Sequence, residues 1–188
     1  LAGIAQREAG WAAIAASAGL WLFLLPLFLV VAHRLVPFFS SRVLSGYVMY
    51  RPGFSLPFLG AACLLHFGLE SASLPGWTWL ADGPMAAWVG WLAWKWGITQ
   101  SFRARLLAML HVSLAVLSAA LAFHAVASLA ILAGFPALFG RGPLHLLSVG
   151  YFAAMTLGMV SRVSLGHSGR ALEADRLTWY GFLAIIAI

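Results

Sequence analysis

Acidic side chains are nearly missing from this sequence: five Asp or Glu in 188 residues, with charged residues of every kind at 9%. Soluble domains carry roughly 25% charged residues, so the shortage excludes an ordinary water-soluble globule. The five acids fall in connections or near the chain ends, and no paired-carboxylate site can be drawn from them. Cysteine is down to one residue, Cys63, which excludes an intramolecular disulfide. No CxxCH occurs, so this segment attaches no c-type haem covalently. A phosphate-cradling glycine motif and a GxSxG elbow are absent as well. Hydrolase and kinase readings have nothing to stand on.

What remains is apolar. Hydrophobic residues make up 63% of the chain and the mean hydropathy is +0.95. The net charge of +6 does not point to nucleic acid, because the arginines are not clustered on a polar face. They stand between apolar runs, where they set membrane topology. We expect an all-α, polytopic transmembrane bundle, embedded in the lipid bilayer as a single domain with no nucleic-acid partner.

The runs define about six spans. They lie near 11–31, 54–69, 84–99, 106–133, 143–160 and 177–188. Pro26 is expected to kink the first, and aromatics mixed with arginines over 32–52 mark a headgroup boundary. Asp82-Gly83-Pro84 reads as the start of the third helix, with Asp82 as its cap. Glu70 and Asp82 are then expected on the outer, solvated side. Connections at 34–53, 95–105 and 162–176 each hold three Lys or Arg, whereas those at 70–83 and 135–142 hold none and one. That alternation places the basic connections in the cytoplasm. The last run covers only about a dozen residues, about 18 Å of helix. With a first residue that is not Met, this leads us to expect a fragment.

Six histidines carry most of the chemistry. Histidine within a span is costly and faces the bundle interior or a cavity. On the expected topology His33, His111 and His167 fall towards the cytoplasmic side, and His66, His124 and His145 towards the other. His111 and His124 are thirteen residues apart on one helix, about 20 Å along its axis, so they cannot share one ion. Each can pair with histidines at its own level. Neutral imidazole binds copper, haem iron and zinc, and two imidazoles from different helices can hold a b-type haem. The plainer alternative, a buried imidazole bonded to a neighbouring helix, stays open for each. Met155 and Met159 share a helix face, where thioethers suit Cu(I) or simple packing. Arg34, Arg162 and Arg170 either set topology or pair with an anionic group such as a haem propionate. Gly166 and Gly169 flank His167 and either loosen a loop or leave backbone room for a bound group.

One stretch organises the rest. Pro143 to Val160 is free of charge and is followed by a polar, basic stretch, Ser161 to Arg170, expected as a loop. Leu144-His145, the run from Met155 to His167 (MTLGMVSRVSLGH) and the Gly166-His167-Ser168-Gly169-Arg170 ending resemble the NnrS family of multi-pass membrane proteins. Arg34-Leu35-Val36-Pro37-Phe38 and the Leu106-to-His111 segment, with Trp94 or Trp96 upstream, extend the likeness over most of the chain. The resemblance implies a bacterial cytoplasmic-membrane protein containing haem b and copper. It implies a role in nitric oxide metabolism, denitrification and tolerance of nitrosative stress. Members are about twice this length, so the amino-terminal half of the same protein is the expected partner, with an electron donor left unnamed. All six histidines are candidate metal ligands, with His111 and His145 foremost. Arg34, Arg162, Gly166, Gly169 and Arg170 are candidate cofactor-binding residues. Two other functions fit the residues: a b-type cytochrome relaying electrons, and a transporter using the histidines as a proton relay.

Overall fold

The computed structural model describes residues 2–169 and 173–187. All regular structure among them is helical, without a strand. Helix α1 (Ala2–Ala18) passes through a π segment (Gly19–Leu24) directly into α2 (Leu25–Val43). Pro26 explains the interruption. It lacks an N–H and its ring crowds the carbonyl four residues back. The wider turn absorbs that crowding, with the Leu25 N–H bonded to the Leu20 carbonyl. The helix then runs past the apolar stretch, through Pro37, to Val43. Residues 32–43 of the stretch read from the sequence as a boundary are therefore helical, held by the buried Val36, Pro37 and Ser40, and only 44–52 leave the helix.

Helices α3 (Ser55–Ser71) and α4 (Trp79–Lys95) follow, each of 17 residues. At 1.5 Å per residue each is about 26 Å long. A short α5 (Ile98–Ser101) leads into α6 (Arg105–Leu132), the longest regular helix. One turn, α7 (Gly142–His145), and a second π segment (Leu146–Ala153) open α8 (Ala154–His167). The last helix is α9 (Arg176–Ala187). Among the described residues, three helical runs are long and apolar enough to cross a membrane: Gly10–Val43, Arg105–Leu132 and Gly142–His167.

Two expectations about helix ends need correction. The third helix does not begin at Asp82 but at Trp79, after a single 3₁₀ turn at Pro75–Trp77. The backbone N–H of Trp79 bonds to Ser128 Oγ at 3.1 Å. A neighbouring helix thus satisfies the donor that a cap would have served, and Asp82 is left one turn inside. The stretch from Ser161 to His167 is not a loop either. It continues α8, and Gly169, at φ +66°, supplies the left-handed turn that follows the end of the helix.

Helix α6 is the centre of the bundle. Leu106, Leu107, Met109, Leu110, Leu117 and Leu121 on it have almost no exposed surface. In lipid, helices associate through close packing more than through hydrophobicity, and small residues allow the approach. Gly90 on α4 faces Ser118, whose hydroxyl donates to the Ala86 carbonyl at 2.8 Å. Gly158 on α8 lies against Leu110, where an added Cβ would sit 3.0 Å from a leucine methyl.

The connections gather at two ends. Trp96 Nε1 donates to the Tyr50 carbonyl at 2.7 Å, and Arg105 reaches the Ala174 carbonyl at 3.3 Å. The three basic connections therefore share one end. Trp79 against Ser128, and Gly142 against Phe123, mark the opposite one.

Candidate functional site

Four helical segments converge at the end that carries few basic residues. The π segment contributes Trp21, α3 contributes His66 and Glu70, α4 contributes Asp82, and α6 contributes His124. Trp21 lies flat on His66, with ring centres 3.4 Å apart and planes 23° from parallel. His124 stands edge-on to both, 5.4 Å from Trp21 and 6.0 Å from His66. Behind His66, a 2.6 Å hydrogen bond joins its Nδ1 to Asp82 Oδ1. Asp82 has no exposed surface, and its second oxygen, Oδ2, has no hydrogen-bond partner among the described residues. The sequence-based expectation of a solvated Asp82 is overturned: the earlier helix start turns the carboxylate inward.

On the far edge of the same imidazole, Nε2 stands 3.9 Å from Glu70 Oε2, too far for a hydrogen bond. That oxygen is held by Ser17 Oγ instead. His66, His124, Trp21, Glu70 and Ser17 all line one cavity of about 540 Å³, with apolar walls from Leu20, Ile131 and Leu144. One helical turn along, Cys63 Sγ lies 3.9 Å from Met85 Sδ. Cys63 and His66 on α3 thus face Met85 and Asp82 on α4 as two successive rungs.

At the basic end the arrangement differs. His111 is fully buried and shares a 2.9 Å hydrogen bond with Ser40 Oγ through Nε2, while its Nδ1 has no hydrogen-bond partner of good geometry among the described residues. The guanidinium of Arg162 covers the ring of Phe39 at 4.9 Å and keeps only 8% exposure. Because Phe39 and Ser40 are neighbours, α2 joins Arg162 and His111 at one level. His33 meets Trp96 edge-on at 5.7 Å, and its Nε2 has no hydrogen-bond partner among the described residues.

The other candidates are scattered. Arg34, His145, Gly166, His167 and Gly169 are exposed on the described surface. Arg170 lies outside the described residues. Sequence reasoning missed Trp21, Asp82 and Ser17. The signal for Asp82 was a carboxylate only three residues into a tryptophan-rich apolar run, which the adjoining glycine and proline disguised as a helix start.

Among the described residues no three His, Cys, Asp or Glu side chains converge as a metal-holding group. A pair does converge. Imidazole nitrogens bind metals at about 2.0 Å, which puts the centres of two opposed rings about 6 Å apart. His66 and His124, at 6.0 Å, match that separation. Trp21 against His66 leaves no porphyrin-wide slot between the two rings. A family model described as NnrS protein matches residues 1–188. No curated protein and no solved structure matches the chain.

Proposed function

The chain belongs to the NnrS family, and from that premise we propose that it forms part of a haem- and copper-containing protein of the bacterial cytoplasmic membrane, acting in nitric oxide metabolism or tolerance of nitrosative stress. The pairing of His66 with His124 beside a cavity carries the reading. Two imidazoles in one place suit copper among the first-row metals. His66 and His124 would hold the ion, with Asp82 bonded behind His66 and Glu70 beside it. Haem belongs elsewhere in this reading. His33 and His111 each keep a ring nitrogen without a hydrogen-bond partner of good geometry among the described residues, and Arg34, Arg162 and Arg170 offer guanidinium groups to its propionates. Copper and haem iron, when bound, would supply reversible nitric oxide binding and one-electron exchange. The chain's own part is to hold, orient and shield. Trp21 blocks rotation of the His66 ring, and the bundle excludes water from His111. An amino-terminal half of the same protein belongs to this reading as partner.

The test is a visible spectrum, oxidised and reduced, with iron and copper analysis of the full-length protein in detergent. Replacing His66 and His124 together by alanine should abolish copper binding and leave the Soret band, whereas replacing the exposed His145 and His167 should leave copper unchanged. Unchanged copper in the first variant would refute the assignment. A colourless, metal-free protein that folds would put a histidine-relay carrier in its place, with the cavity beside His66 and Glu70 as its site.

A further inference from the structure

Asp82 is the most unexpected group in the bundle. An ionisable residue inside a membrane protein is expensive, faces the interior and has a partner. Its partner here is one edge of one imidazole. We propose that Asp82 is the positioning residue of the His66–His124 pair: it holds His66 as the Nδ1–H tautomer and so makes Nε2 the ligating atom. The proposal rests on the copper reading above.

Three observations carry it. The 2.6 Å contact sets Asp82 Oδ1 as the acceptor for an N–H at His66 Nδ1. The contact is short, in the direction that a charged partner shortens such bonds. The stacked indole of Trp21 then prevents the ring from turning to exchange its two nitrogens. Finally, Nε2 is left with its lone pair free, because Glu70 stands 3.9 Å away with its nearer oxygen taken by Ser17. The Cys63–Met85 contact, one turn along, lies in the same register of α3 against α4. With Oδ2 unpartnered among the described residues, the hydrogen bond to His66 is the one the Asp82 carboxylate makes there, and such a bond makes Nε2 a stronger donor.

The experiment begins without metal. Full-length protein labelled with ¹⁵N at histidine is placed in micelles, and long-range ¹H–¹⁵N correlations read the tautomer of each ring. His66 should show a protonated Nδ1 and a bare Nε2 in the wild type. Asp82→Asn keeps an acceptor oxygen and should preserve that pattern, whereas Asp82→Leu should lose it. Titration with copper then follows. Asp82→Leu should bind the metal about 10–100-fold more weakly, and Asp82→Asn should fall in between. A bare Nδ1 in the wild type, or equal affinity in all three proteins, overturns the proposal. Wild-type protein with the expected tautomer but no copper bound would instead overturn the copper reading and, with it, the ligand role of Nε2. The wild-type spectrum alone decides the tautomer should the leucine variant not fold.

Discussion

The two ends of this bundle treat the same side chain in opposite ways. At one end His66 meets a buried carboxylate, a stacked indole, a second imidazole and about 540 Å³ of space. At the other His111 meets a serine hydroxyl and close packing, and the cavity beside nearby His33 is about 10 Å³. Burial does not separate them, since both rings are inside. What differs is the partner. A carboxylate brings charge into a medium that tolerates little, and such a group is kept where it has work to do. A hydroxyl brings only a neutral hydrogen bond that ties two helices together.

The contrast can be broken most forcefully by removing the histidines. His66→Leu strands the Asp82 carboxylate without its partner, a loss of about 3–5 kcal/mol. His111→Leu strands only the Ser40 hydroxyl, about 1–3 kcal/mol. Unfolding by denaturant in micelles, followed by tryptophan fluorescence, should rank the two in that order, and equal losses would erase the distinction between the ends. Added volume gives a smaller effect. Gly158→Leu drives a side chain into Leu110 at the closed end and should cost about 1–3 kcal/mol. Ala127→Leu points into the open cavity and should leave the unfolding midpoint nearly unchanged. Comparable losses would mean that the cavity closes in solution.

The smallest effect lies outside the membrane, at Asp175. Hydrogen bonds from the backbone N–H and side chain of Thr178 hold its carboxyl below the usual range. A carboxyl with a lowered folded value stabilises the fold above its unfolded value, and that contribution fades as pH falls through the folded one. Mild acid should therefore loosen the start of α9. Asp175→Ala should remove that acid sensitivity from hydrogen exchange of α9 while leaving both histidine levels alone.

Composition alone made the all-helical fold legible, because so few charges over so many apolar residues leave few other solutions. The grouping of His66 with His124, away from His33, was legible too, since helix rise converts sequence distance into height. Which ring would meet which group was not. Trp21 reaches His66 from an element far away in sequence, through a π segment that no periodicity announces. Asp82 was misread for a local reason: a carboxylate before glycine and proline carries the local pattern of a helix start, and only Ser128, on another helix, moves that start back to Trp79. Arg162 was read as part of a surface loop because nothing local reveals that Phe39 waits beneath it. Local rules fail where a distant helix supplies the missing partner.

The π segment at Gly19–Leu24 amounts to one surplus residue in an otherwise ordinary rod. An α-helix turns by about 100° per residue, so that surplus sets the angular phase between everything before it and everything after. Ser17 finds Glu70 on one side of it, and Ser40 finds His111 on the other. Deleting a single residue there, such as Leu22, together with Pro26→Ala, would let the rod regain regular winding and swing one half against the other. The chain would stay as helical as before, but it could hold only one of its two histidine levels in register at a time. A length change of one residue, ordinarily an accident of helix evolution, would here act as a selector between them.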